Sequence, residues 1–134
     1  MLYPIAIEVG NDIHAYGVVV PDIKGCFSAG DTLDEAVINA KEAIEINLEL
    51  LAENGELPPV ASDLSELQKN SEYKGWAWAV IDIDIEPYMG KSSKINVTLP
   101  DLLKKKIDDK VKFNSQYKDR SHFLQVAARN ELNK

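Results

Sequence analysis

The chain has 134 residues, room for one domain or two small ones, and its 45% hydrophobic content is enough to build a core. No apolar run approaches the roughly 18 residues of a membrane span, and a single cysteine, Cys26, excludes an internal disulfide. The net charge of −7 argues against nucleic acid on average, but the average hides a split: residues 1 to 90 hold 4 Lys plus Arg against 17 Asp plus Glu, and residues 91 to 134 hold 11 against 5. An acidic body of net −13 is therefore followed by a basic tail of net +6. Opposite fields on two parts of one chain point to two different partners. The N-terminal MLYPIAIEVG has neither the basic region nor the long apolar segment of a secretory signal, so the expected compartment is a reducing cytoplasm.

Tyr3, Ile5, Ile7 and Val9 alternate with other residues and predict a first strand with one buried face. Gly10-Asn11-Asp12 supplies a turn into a second strand over Ala15 to Val20, and Pro21-Asp22-Ile23-Lys24-Gly25 turns into a third over Cys26 to Ala29. Thr32 and Glu35 have the spacing of a capping box that opens a helix running to about Asn54. Its apolar stripe is Leu33, Ala36, Val37, Ala40, Ile44, Leu48 and Leu51, and Asn54-Gly55 is a suitable stop. Pro58-Pro59 breaks the chain, and Asp63 with Glu66 predicts a second capping box for a short helix to Lys69. WAWAVIDIDI, Trp76 to Ile85, reads as the last strand, with Ala77, Ala79, Ile81, Ile83 and Ile85 on one face and Trp76, Trp78, Val80, Asp82 and Asp84 on the other. The expected body is α+β, in the order β-β-β-α-β, with an antiparallel sheet covered by helix on one side.

The expected division is a body at residues 1–86, a linker at 87–92 where proline, glycine and serine collect, and a tail at 93–134. Within the tail SKINVTLP alternates Ile95, Val97 and Leu99 with Lys94, Asn96 and Thr98, a strand with one buried face. Pro100 suits the first position of a helix to Val111, with Leu103, Ile107 and Val111 at four-residue spacing, and a second helix is expected from Asp119 to Leu132. Strand, helix, helix in about forty residues cannot close a core alone. Pairing the lone strand with its copy in a second chain supplies both the missing backbone partners and the missing core. The resulting ribbon presents two copies of Lys94, Asn96 and Thr98, and a two-stranded ribbon fits the DNA major groove.

KINVTLP together with RSHFLQVAARNEL resembles the ribbon-helix-helix family of bacterial DNA-binding proteins, over about a third of the chain. The resemblance implies base contacts by Lys94, Asn96 and Thr98 and a phosphate anchored at the start of the second helix, at Arg120 and Ser121. Here Thr98 stands where family strands often carry arginine, and Asp119 where a glycine is usual. In the body YPIAIE and AYGVVVPDIKGCFSAGDTLDEAVINAKEAIE strongly resemble the HicB antitoxins, PDIKGCFSAGDTLDEA most specifically. With the tail, the likeness covers nearly the whole chain. It implies a truncated, inactive ribonuclease H-like body that binds a small basic mRNA-cleaving toxin of the HicA type. It further implies a tail that binds the operator of its own operon, a homodimer through the tail strand, and a tetramer or higher assembly through the bodies. The rival reading is a stand-alone ribbon-helix-helix repressor whose body binds a small ligand or only oligomerises.

Metal-dependent hydrolysis would need convergent carboxylates, for which Glu8, Asp22, Asp82 and Asp84 are the candidates, Asp82 and Asp84 sharing a strand face. In an acidic protein these also read as a solvated strand end, and no catalysis, metal or cofactor is expected. His14 and His122 have no metal-spaced companion, and Cys26 beside Phe27 reads as packed rather than nucleophilic. Trp76 and Trp78 are either covered by a helix or held open as anchors for a protein partner, with Asp82 and Asp84 as acidic neighbours that would attract a basic toxin.

Overall fold

The computed structural model describes residues 1–134, and the chain divides into two compact units, Met1–Lys91 and Ser92–Lys134, called body and tail below. In the body, β1 (Leu2–Glu8), β2 (Tyr16–Val19), β3 (Phe27–Gly30) and β4 (Ala77–Asp82) form one sheet in the order β3-β2-β1-β4, every pairing antiparallel. The long helix α1 (Leu33–Glu53) packs on one face, and the four-residue α2 (Leu64–Leu67) lies in the return to β4. The result is a mixed α+β fold with helix on one side of an antiparallel sheet.

The core follows the apolar periodicities. Tyr3, Ile5 and Ile7 from β1, Val18 from β2, Ile81 from β4 and Ile83 just beyond it meet Ala36, Ala40, Ile44 and Leu48 of α1. Val9 and Leu33, expected on buried faces, are exposed, because β1 ends at Glu8 and α1 has only begun at Leu33. On the opposite face of β1 Pro4 and Ala6 are buried, while Leu2 and Glu8 are exposed.

Local chemistry sets the element ends. Asn11 Oδ1 accepts the N–H groups of Ile13 and His14, both at 2.8 Å, and holds the β1–β2 turn. Thr32 Oγ1 accepts the Glu35 N–H at 3.1 Å as a capping box requires, but the Glu35 carboxylate reaches the Asp31 N–H at 3.3 Å rather than that of Thr32. At the other end of α1 Gly55, at φ +74°, donates to Ala52 O, and Glu56 donates to Leu51 O at 2.8 Å, the paired bonds of a Schellman stop. The second expected box is not formed. Asp63 makes no side-chain cap, and Glu66 pairs instead with Lys69 at 3.2 Å. β4 stops at Asp82, short of the expected Ile85, since Ile85 turns helical and leads into a 3-10 turn at Glu86–Tyr88. Tyr88 and Met89 pack against the core, so that part of the expected linker belongs to the body.

In the tail α3 (Asp101–Phe113) and α4 (Arg120–Leu132) form a helical hairpin, while Lys91–Pro100 carries no regular secondary structure. The expected strand at Ser93–Leu99 is not formed, because a strand exists only through a ladder and this single chain offers it no neighbour. Pro100 sits one place earlier than expected, as the cap residue, its carbonyl accepting the Lys104 N–H at 3.0 Å. No helix is long and apolar enough to cross a membrane.

Candidate functional site: an open sheet face and an unpaired tail segment

The alternation that sends Tyr3, Ile5 and Ile7 toward α1 sends Leu2, Pro4, Ala6 and Glu8 to the other side of the sheet. Register then builds a row across it, Phe27, Val19, Ala6 and Trp78, followed by Pro4 beside Val80 and Leu2 beside Asp82. No helix covers this side at Phe27, Leu2 or Val80, which are all exposed. Trp76 and Trp78 are each half-buried, and the group leaning on both is Tyr73. Its ring makes edge contacts to each at 5.4 Å between centroids. The two tryptophans are thus held in place but left partly open, which neither a buried core position nor a free side chain provides. Beside the apolar row stand Glu8, Glu72 and Asp82, all exposed. Burial and the adjacent Glu72 carboxylate both push the Tyr73 phenol above its ordinary pKa. An apolar platform with acid at its margin suits a basic protein surface better than a small ligand.

The four carboxylates considered for metal chemistry do not converge. Asp82 meets the N-terminal amine of Met1 at 3.4 Å, and Asp84 Oδ1 accepts the Glu86 N–H at 3.1 Å. Asp22 holds the Ser62 N–H at 2.8 Å and its hydroxyl, tying the loop after α1 back to the β2–β3 turn. No group of three or more His, Cys, Asp or Glu is placed to hold a metal ion. Cys26 is buried in the core, and burial raises its thiol pKa to about 11, which leaves it a poor nucleophile. Tyr88, half-buried and near Glu45, Glu49 and Asp84, likewise has its phenol pKa raised by partial burial and by these carboxylates.

In the tail Lys94, Asn96 and Thr98 are exposed on the irregular segment, and so are their apolar alternates, Ile95 at 79% and Val97 at 55%. Ile107 is the only buried hydrophobic side chain of the tail. Ser121 stands exposed at the start of α4, whose first-turn N–H groups have no helical partner. One is already satisfied, since Asp119 accepts the His122 N–H at 2.8 Å, while His122 Nδ1 takes the Lys118 N–H at 3.2 Å. Arg120 turns away from that terminus. Its guanidinium grips Asp108 of α3 through two bonds of 2.9 and 2.7 Å, which hold the Asp108 carboxyl below its ordinary pKa. The sequence singled out Arg120 but not its partner, and it missed Tyr73 and Phe27. The Asp108 link depends on how two helices cross, the place of Phe27 on strand register, and that of Tyr73 on the 3-10 turn at Ser71–Tyr73. None of these is written in local periodicity.

Comparison with known proteins now adds to this geometry. A family model described as a HicB-like antitoxin of bacterial toxin–antitoxin systems matches residues 3–128. An uncharacterised 14.9 kDa protein of the rep–hol intergenic region of Haemophilus phage HP1 is 47% identical over 132 residues, 98% of each chain. The crystal structure of an antitoxin named HicB3 is 33% identical, covers 98% of this chain and 97% of its own, and superposes with a TM-score of 0.83. The structure of a HicA3–HicB3 toxin–antitoxin complex contains a chain 31% identical to this one, covering 63% of this chain and 99% of that one at a TM-score of 0.54.

Proposed function

The chain belongs to the HicB-like antitoxin family of bacterial toxin–antitoxin systems, and from that premise we propose that it binds and neutralises a HicA-type, mRNA-cleaving toxin and represses its own operon. The body, read as a degenerate ribonuclease H-like domain, takes the toxin on its open sheet face. Trp76 and Trp78 supply the apolar anchors, and Asp82 and Asp84 the acid that draws in a basic surface. Occlusion is the whole mechanism, with no catalysis by this chain.

The tail dimerises. Two copies of Ser93–Pro100 pair antiparallel into a ribbon that buries Ile95 and Val97 between the helices of both chains and turns Lys94, Asn96 and Thr98 toward base edges. Backbone N–H groups at Arg120 and Ser121 face phosphate, and the Arg120 side chain fixes how α4 is presented. The observation that carries this reading is the amphipathic segment of the tail, apolar on alternate residues yet exposed on both faces. Such a segment needs a second chain. A pull-down of the tagged protein from its own host, with mass determination of whatever co-purifies, tests the antitoxin role. A stoichiometric small basic protein is expected, and a protein that emerges alone at native levels would leave only a free-standing repressor.

A further inference from the structure

One pair of side chains ties α3 to α4 by directional bonds. Arg120, the first residue of α4, donates through Nε and a terminal nitrogen to the two carboxylate oxygens of Asp108, at 2.9 and 2.7 Å. These are the only side-chain hydrogen bonds between the two helices. The loop of residues 114–119 does not supply another. It bonds to itself at Asn114 and to α4 through Lys118 and Asp119, and Tyr117 packs its ring on Phe123 of α4. The loop is thus built onto α4, and the Asp108–Arg120 pair fixes the direction in which that assembly leaves α3.

The two helices carry different parts of the surface proposed for DNA. Residues 93–100 run without a break into α3, where Pro100 O accepts the Lys104 N–H at 3.0 Å. The base-reading residues Lys94, Asn96 and Thr98 therefore belong to the α3 side, and the phosphate-facing N–H groups belong to the start of α4. Bases and phosphates stand at a set offset on a duplex, so both parts engage one site together only when their own offset is set. A planar guanidinium forked onto a carboxylate constrains direction as well as distance.

We infer that Asp108 is a positioning residue for operator recognition, holding the phosphate-facing end of α4 in register with the base-reading segment through Arg120. The inference rests on the DNA-binding reading of the tail and adds to it a residue that need touch no DNA. Both side chains are partly exposed, so the pair adds little stability and acts through geometry. The guanidinium lies on α3 rather than at the α4 terminus, which favours positioning over a direct phosphate contact by Arg120. A tail without the pair still meets phosphate on any duplex but no longer aligns its two sets of contacts. The loss then falls on the operator and spares non-specific binding.

Gel-shift titrations of the full chain test this, with a duplex from upstream of its own gene and an unrelated duplex of equal length. Asp108→Asn removes a negative charge, which by electrostatics alone would tighten binding to both duplexes. The inference expects the opposite for the upstream duplex, a loss of about tenfold, with no loss on the unrelated one. Arg120→Lys keeps the charge and removes the fork, and is expected to show the same loss, whereas a simple phosphate contact would survive it. Combining the two substitutions is expected to cost no more than either alone, and Asp108→Glu to recover most of the affinity. Wild type that shifts the upstream duplex selectively, matched by a folded Asp108→Asn, overturns the inference and leaves the DNA-binding reading standing. If Asp108→Asn loses helix content by circular dichroism, full operator affinity in Arg120→Lys overturns it instead. Wild type that does not distinguish the two duplexes overturns both.

Discussion

The body and the tail solve the problem of a hydrophobic core in opposite ways. Fifteen of the sixteen buried hydrophobic side chains lie in the body, fourteen of them in the core built on α1 and the sheet, and one, Ile107, lies in the tail. The two tail helices have thirteen residues each, a length at which isolated helices are marginal in water. Within one chain the Arg120–Asp108 pair links them, and it is exposed enough to be weakened by solvent. The body therefore stands on its own contacts. The tail's order, on the proposed reading, is completed by a second chain and depends on protein concentration.

That contrast is broken most sharply at the tail. Ile95→Asp with Val97→Asp is expected to abolish tail pairing and operator binding altogether, seen as a drop in mass and a lost gel shift, while the unfolding of the body is unmoved. Its mirror is Leu48→Ala, which empties a fully buried site and is expected to destabilise the body by about 2–5 kcal/mol in denaturant titration. Lys94→Ala with Asn96→Ala is expected to cost about 1–3 kcal/mol per lost base contact in operator titrations, with body stability unchanged. Operator affinity should also fall with salt, at a log–log slope of about −0.9 per neutralised phosphate. A flat salt response would remove the electrostatic half of the contrast.

Two titrations sharpen it further, each confined to one unit. The Cys26 thiol pKa is raised in the folded body, so its stabilising effect is complete below the unfolded thiol pKa and is lost as pH rises toward about 11. A loss of order 2 kcal/mol in body stability over that window is expected, together with no reaction of native Cys26 with a thiol reagent at pH 8. The smallest effect belongs to Asp108, whose folded pKa is lowered by the Arg120 bond. Its contribution is present above the ordinary aspartate pKa and disappears as pH falls through the lowered one. Asp108→Asn should remove that acid dependence from helix–helix pairing in the tail, measured by circular dichroism of the full chain.

Much of this was readable from the residues, and the reason differs by region. The α1 stripe, its Thr32 and Gly55 ends and the alternation of β1 are local patterns, and the structure shows them. The charge change near residue 90 falls close to the boundary of the two units. Phe27 and Asp108 were not legible, because strand register and helix crossing bring them to their partners, and Tyr73 was not, because it reaches Trp76 and Trp78 from a short 3-10 turn that has no periodic signal. Asp63 misled because a four-residue helix gives its capping motif little to stabilise. The tail strand was legible as a pattern yet is not formed, since this single chain offers its backbone no ladder partner.

The most direct test of the division of labour is a crossed pair of variants in the full chain, recovered from the native host with whatever protein and DNA they hold. Trp78→Ala with Asp82→Asn is expected to lose the small basic protein and keep the operator. Lys94→Ala with Asn96→Ala is expected to keep the protein and lose the operator. If either folded variant loses both partners, or neither variant loses one, the account of an acidic body for toxin and a basic tail for DNA is wrong.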